Sequence, residues 1–299
     1  MRFAAALLRI YQRSGLQRLA RGSGIIRALG LSDAEALAPP ISKRFFVPDG
    51  RLFKAPNSRA KVMLHVGCVM QVAFAEVHEA TVRVLRRNRC TVVVPEGQGC
   101  CGAIAVHAGE PEFAETLAKK NIETFEASGA DVYVVNAAGC GSALKEYGEL
   151  LSGDPRWADR AQRFSTRVRD VLEFLDLLEI DPRLGPLGKS VTYQEPCHLA
   201  HAQRVTAAPR RLLAKIPGLQ LREMNESSVC CGSAGIYNLT EPSMSRRLRD
   251  RKTINITQTG AEVVATANPG CAMQVAAGLR QAGGAASVRH VVELLDEAY

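Results

Sequence analysis

Eight of the nine cysteines in this 299-residue chain fall into two sets with matched spacing. Cys68, the adjacent pair Cys100-Cys101, and Cys140 form the first, with gaps C-x31-CC-x38-C. Cys197, the pair Cys230-Cys231, and Cys271 form the second, C-x32-CC-x39-C. Matching cysteines lie 129, 130, 130 and 131 residues apart. Cysteines scattered through a core have no reason to keep register over that distance. Four thiolates brought to one place are the donor set of a tetrahedral metal ion or an iron–sulfur cluster. The competing reading, buried apolar thiols, does not account for adjacent pairs that recur in step. Cys90 stands apart: it opens an apolar run, has no counterpart in the second half, and reads as a core residue.

The elements that must position these thiols can be read around them. Lys61 starts the first repeat, and Val62 to Val66 reads as a buried strand stopping at Gly67-Cys68. Ala73 to Arg87 reads as a helix, Cys90 to Val94 as a β-branched strand, and Gly97 to Gly102 as a sharp turn. Glu110 to Ala127 reads as a helix, and Asp131 to Asn136 as a strand ending before Gly139-Cys140-Gly141. The second half repeats the plan, with strands at Val191 to Gln194, Leu219 to Met224 and Glu262 to Asn268. The tails match too: Arg167-Val168-Arg169-Asp170-Val171 and Ser287-Val288-Arg289-His290-Val291 each read as a short strand entering a closing helix. Alternating strands and helices imply a mainly parallel sheet with right-handed crossovers. The expectation is therefore α/β, with two tandem domains related by pseudo-twofold symmetry, each a small sheet flanked by helices. Residues 1–60 read as a basic helical linker or docking segment, 61–180 as the first cysteine-rich repeat and 188–299 as the second. Turn formers from Asp181 to Gly188 separate the repeats. Every motif cysteine then follows the C-terminal end of a strand, the edge of a parallel sheet where ligand crevices form. The neighbouring glycines let the backbone turn tightly and offer N–H groups to sulfur.

Composition narrows the class. Apolar residues make up 46% of the chain, enough for real cores, and no run approaches the ~18 apolar residues of a membrane span. Phe3 to Leu8 is too short an apolar run for a secretory signal. Nine cysteines without export point to a reducing compartment, where thiols bind metal or react rather than pair. The expectation is a cytoplasmic protein that can sit at the inner face of the membrane through a complex. The formal charge of +8 offsets anionic clusters and favours an acidic partner or surface. Few aromatics and no nucleic-acid motif argue against nucleic acid as a partner. The basic residues Arg246, Arg247, Arg249, Arg251 and Lys252 read as a solvated helix face. The first 32 residues hold six arginines and no acid, and read as short basic amphipathic helices. The stretch from Pro39 to Pro56 reads as loop.

Both repeats resemble the cysteine-rich CCG domain found in heterodisulfide reductase subunits and in iron–sulfur subunits of anaerobic glycerol-3-phosphate dehydrogenase. The resemblance covers about residues 60 to 299. Within that family the segments Leu16-Gln17-Arg18-Leu19, Asn136-Ala137-Ala138-Gly139-Cys140-Gly141, Glu195-Pro196-Cys197-His198-Leu199 and Asn268-Pro269-Gly270-Cys271 are similar to the glycolate oxidase iron-sulfur subunits. The resemblance implies an electron-transfer subunit that works beside an FAD-binding flavoprotein, which oxidises the 2-hydroxy acid. It also implies a ferredoxin-like region with C-x2-C motifs, of which this chain has none, so that either the chain is a fragment or internal start of a longer one, or a separate ferredoxin-like domain or protein supplies those clusters. Many such repeats end in C-x2-C, giving five thiols; here those positions are Ala143 and Gln274. Four thiols suit a [4Fe–4S] cluster, with zinc as the alternative in one repeat. That departure weakens any transfer of heterodisulfide chemistry.

Other residues say less. His198 and His201 follow Cys197 closely enough to tune a cluster by hydrogen bonding or to cap a helix. His65, His78, His107 and His290 read as packing or surface residues. No serine triad, phosphate loop or complete dinucleotide fingerprint is present, so no flavin or nicotinamide site is expected in this chain.

Overall fold

The computed structural model describes Met1 to Tyr299, apart from the side chain of Asp33. The described residues form nine strands in two sheets. The first holds β1 (Arg51–Phe53), β2 (Ala60–Leu64), β3 (Cys90–Val94), β4 (Val132–Val135) and β5 (Val168–Asp170). The second holds β6 (Ser190–Tyr193), β7 (Gln220–Leu221), β8 (Val263–Thr266) and β9 (Ser287–His290). The orders are β1-β3-β2-β4-β5 and β7-β6-β8-β9. Without β1 the two sheets share one topology, and all pairings but that of β1 are parallel. Val62 lies at the centre of the first sheet, beside Val92 on one side and Val132 on the other. Every residue of β6 and β8 is buried. Burial on both faces is what a parallel sheet flanked by helices requires.

The helix Ala75–Arg87 shows how the pattern sets packing: Val77, Ala80, Thr81, Val84 and Leu85 recur at helical spacing and are all buried. One continuous core runs from Val62, Leu85 and Tyr133 in the first half to Tyr193, Leu213 and Leu295 in the second. The halves are joined reciprocally. The closing helix of the second half, Val291–Ala298, packs on Ala75–Arg87 of the first. The closing helix of the first, Val171–Leu177, packs on Ala207–Ala214 of the second. Equivalent ion pairs clamp both contacts: Arg83 to Asp296 at 2.7 Å, and Arg211 Nε to Asp176 at 3.0 Å. Each closing helix starts in a capping box, Asp170 with Glu173 and His290 with Glu293.

Three features differ from the sequence reading. The stretch from Pro39 to Pro56 contains β1, an antiparallel edge strand that pairs Leu52 with Val93; three residues are too few to show a period. The strand expected from Leu219 to Met224 is only Gln220–Leu221, because the chain turns away toward Cys230. The basic run near residue 250 is a solvated face only in part: Arg246, Arg247 and Arg251 are exposed, but Arg249 and Lys252 are 5% and 2% exposed.

The N-terminal residues form helices at Arg2–Arg13, Leu16–Gly22, Ile25–Ala28 and Ser32–Leu37. Ala5 packs with Ile41, Val72 and Ala73. Gln12 exchanges hydrogen bonds with the backbone of Pro39 and Ile41, and Arg280 donates to the Ala36 carbonyl at 2.7 Å. The segment is thus tied to both halves, while Phe3, Leu7, Ile10, Leu19 and Ile25 stay exposed.

Candidate metal centres

All eight motif cysteines are free thiols, and all eight line one cavity of about 390 Å³ between the halves. The topology explains this. Cys68 follows β2, the Cys100-Cys101 pair follows β3, and Cys140 sits in the first turn of the helix Ala138–Lys145 after β4. In the second half Cys197 follows β6 and enters a π-helical turn, His198–Ala202. The Cys230-Cys231 pair follows β7, and Cys271 sits in the first turn of Pro269–Gln281 after β8. Both helices start at a thiol, so their N-terminal dipoles favour its ionised form. Leu37 and Ala38 from the N-terminal segment, with Ile104, Ile236 and Leu239, complete the wall.

The two adjacent pairs turn in the same way. Gly102 and Gly232 have φ of +81° and +88°, values that side-chain-bearing residues avoid. A Cβ on Gly232 would lie 2.4 Å from the Ser245 carbonyl oxygen, and one on Gly102 3.3 Å from Ala114 Cβ. The turn aims backbone N–H at sulfur: Gly232 N donates to Cys230 Sγ at 3.3 Å.

Within each set the sulfurs are close enough to share protons. Cys68 and Cys100 Sγ are 3.8 Å apart. Cys100 is held far below the ordinary thiol range by hydrogen bonds from Cys101 and Cys68, and Cys68 is raised in consequence. Cys140 falls to about 6, held first by the Cys101 thiol and then by His65. The second set repeats the alternation. Cys230 is lowered by Cys197 and Cys231, and Cys271 by Cys231 and then Asn268, while Cys197 and Cys231 are raised. Two of four sulfurs in each set are thus biased toward the thiolate, the form that binds metal.

The surroundings differ between sets. Beside the first, Asn121 accepts from Gly99 N and donates to the Cys100 carbonyl, each at 2.9 Å, and Tyr147 donates to the Cys101 carbonyl at 2.8 Å. In the second half the position equivalent to Asn121 is Lys252, whose buried ammonium donates to the Glu226 and Ser227 carbonyls. Burial lowers its pKa, and the thiolates of Cys231 and Cys271 oppose that. Asn268 joins the two sets: Oδ1 accepts from Gly139 N at 3.0 Å, and Nδ2 donates to Cys271 Sγ at 3.5 Å.

The sequence reading missed His65. It is 1% exposed, and one of its ring nitrogens lies within 4.8 Å of the sulfurs of Cys101 and Cys140. Only its place three residues before Cys68 could have pointed to it. Of the histidines that were singled out, His198 Nδ1 is 3.7 Å from Cys197 Sγ, and His201 Nε2 is 3.2 Å from the Ser228 carbonyl. Cys90 is fully buried in the first sheet and takes no part in the cavity. The donor chemistry fits two thiolate-bound metal centres: four convergent sulfurs in each set, backbone and amide N–H groups aimed at sulfur, and no disulfide among the described residues.

The comparisons agree with this arrangement. Residues 62–145 and 191–276 each match the cysteine-rich domain family CCG. Residues 1–38 match the linker region of the glycolate oxidase iron-sulfur subunit. A probable glycolate oxidase iron-sulfur subunit of Bacillus subtilis is 39% identical over 100% of this chain and 69% of its own length. The glycolate oxidase iron-sulfur subunit of Escherichia coli is 31% identical over 96% of this chain and 71% of its own. Lactate utilization protein A of Shouchella clausii is 33% identical over 79% of this chain and 98% of its own. Among solved structures, a hypothetical protein from Helicobacter pylori aligns with a TM-score of 0.58 at 9% identity, over 89% of this chain; this chain spans about half of that one, 53%. That likeness concerns the fold alone. Two CCG matches, a linker match and full-length identity place the chain in one family: it belongs to the glycolate oxidase iron-sulfur subunits, within the proteins that carry the CCG domain in duplicate.

Proposed function

We propose that this chain is the iron–sulfur electron-transfer subunit of a flavin-dependent 2-hydroxy-acid dehydrogenase complex, with glycolate as the acid. The observation that carries the reading is the gathering of two four-thiol sets around one cavity. Cys68, Cys100, Cys101 and Cys140 would hold one cluster, and Cys197, Cys230, Cys231 and Cys271 the other. A [4Fe–4S] cluster at each set supplies one-electron transfer. The protein's part is to fix the thiols, aim N–H donors at their sulfurs and keep water from the buried side.

The substrate comes from the family and not from this cavity, which lacks a charged group placed for a carboxylate. Oxidation of the acid belongs to an FAD-binding partner subunit, and further clusters to a ferredoxin-like domain or protein. Among the described residues no helix is long and apolar enough to cross a membrane. The exposed apolar residues of the arginine-rich helices from Arg2 to Ala28 suit docking to a partner within the complex. Thiol–disulfide or quinone chemistry by this chain itself is the weaker reading, since Ala143 and Gln274 leave four thiols per set.

The test is metal and sulfide analysis of protein purified without oxygen, followed by glycolate-dependent dye reduction with and without the flavoprotein. Iron with acid-labile sulfide, and reduction only when the flavoprotein is added, are expected. Zinc alone, or glycolate oxidation by the isolated flavin-free chain, would overturn the proposal.

A further inference from the structure

The two thiol sets are matched in sequence but not in what touches them, and the sharpest difference lies at the residue three places before the first cysteine. In the first half this is His65. In the second it is Gln194, whose amide is engaged elsewhere: Nε2 donates to the Glu195 carbonyl at 2.6 Å, and Oε1 accepts from Thr266 Oγ1 at 2.7 Å. Neither of these bonds reaches a sulfur.

His65 is arranged differently. Its Nδ1 is 2.7 Å from the Tyr133 hydroxyl, on the adjacent strand β4. That hydroxyl is buried, so its proton needs an acceptor, and Nδ1 is the partner within reach. A hydroxyl that donates to Nδ1 leaves the ring proton on Nε2. Nε2 is itself buried and has no hydrogen-bonding partner among the described residues. The ring stands against the sulfurs of Cys101 and Cys140. An N–H that is buried and orphaned beside thiols is costly unless a thiolate accepts from it.

We infer that His65 is a positioning residue for the first centre. Tyr133 fixes its tautomer, and Nε2–H donates to a cysteinate of the bound cluster, with Cys140 the first acceptor. This rests on the iron–sulfur reading above. A hydrogen bond to a coordinating sulfur withdraws negative charge from the cluster and raises its reduction potential. The second centre has Asn268 Nδ2 on Cys271 at 3.5 Å instead, an amide donor from the start of the helix Pro269–Gln281. The duplicated chain thus holds two centres of different potential, and electrons collect at one of them.

The experiment is a redox titration of the anaerobically purified chain, followed by electron paramagnetic resonance, for wild type and three variants. His65→Phe keeps the ring volume and removes the donor. It should lower the midpoint potential of one centre and leave the other in place. Tyr133→Phe should lower the same centre by less, because the tautomer is no longer fixed. His65→Gln keeps an N–H donor and should restore most of the shift, and Tyr133→Phe serves as the readable variant if His65→Phe does not fold. Two centres whose potentials stay at the wild-type values in His65→Phe, or in Tyr133→Phe should His65→Phe not fold, would overturn the inference. So would equal shifts in both centres. Zinc in place of iron would overturn the functional reading and this inference with it; iron centres with unmoved potentials would overturn this inference alone.

Discussion

Asp170 should make the stability of this protein fall as the pH rises through neutrality. It caps the closing helix of the first half: Oδ1 accepts from Leu172 N at 2.8 Å, while Oδ2 is buried without a partner. Burial pushes its carboxyl up from 3.8 to about 7, against the opposing pull of the cap bond and Lys145. Between those values the folded protein keeps a proton that the unfolded chain has lost. The unfolded state then binds fewer protons, and stability declines with pH at ~1.4 kcal/mol per pH unit. From pH 5 to pH 8 the loss from this one group is ~2.5 kcal/mol, most of it spent by pH 7. Asp170→Asn keeps a capping side chain and removes the titration, so it should flatten that part of the curve. An unpartnered amide would shift the whole curve without changing its slope. Urea unfolding at pH 5, 6, 7 and 8 measures both proteins. Wild-type and Asp170→Asn curves that run parallel from pH 5 to pH 8 would refute the reasoning. The equivalent cap, His290, acts in the opposite sense. Burial lowers it from 6.5 to about 4, so its contribution is present above 6.5 and is lost as the pH falls toward 4.

Two further outcomes are expected. Cys231→Ser should roughly halve the iron bound per chain, with the spectrum of the first centre retained; unchanged iron content would remove Cys231 from the ligands. Gly232→Ala should destabilise more than Gly102→Ala in thermal unfolding. Each change carries the ~1–2 kcal/mol of a left-handed backbone, but only the first also drives a Cβ to 2.4 Å from a backbone oxygen. Equal losses in the two variants would count against the close packing at Ser245.

The part of the site that lies along the chain was legible in the sequence. Cysteine spacing gave both sets, and alternating apolar runs gave the parallel strands; β3 runs from Cys90 to Val94 in both the reading and the structure. What was hidden depends on contacts across the sheet or between the halves. His65 meets Cys140 only because β2 and β4 are neighbours, a pairing that separates them by 75 positions in sequence. Lys252 looked like one more surface cation, because nothing local tells a buried ammonium held by the Glu226 and Ser227 carbonyls from a solvated one. The strand β1 was hidden for the same reason: its three residues take their conformation from β3. Nor could spacing say that the two sets would face a single cavity, since that follows from how the halves meet.

The reciprocal clamp of the closing helices is the contact pattern of an isologous dimer, drawn within one chain. Arg83 meets Asp296 as Arg211 meets Asp176, so two copies of a single repeat would satisfy both contacts by exact twofold symmetry. In such a dimer every substitution appears at both centres at once. Joining the copies covalently lifts that constraint while the clamp goes on holding the architecture. Each half is then free to diverge where the other does not, which is what His65 opposite Gln194, Asn121 opposite Lys252 and Asp170 opposite His290 record.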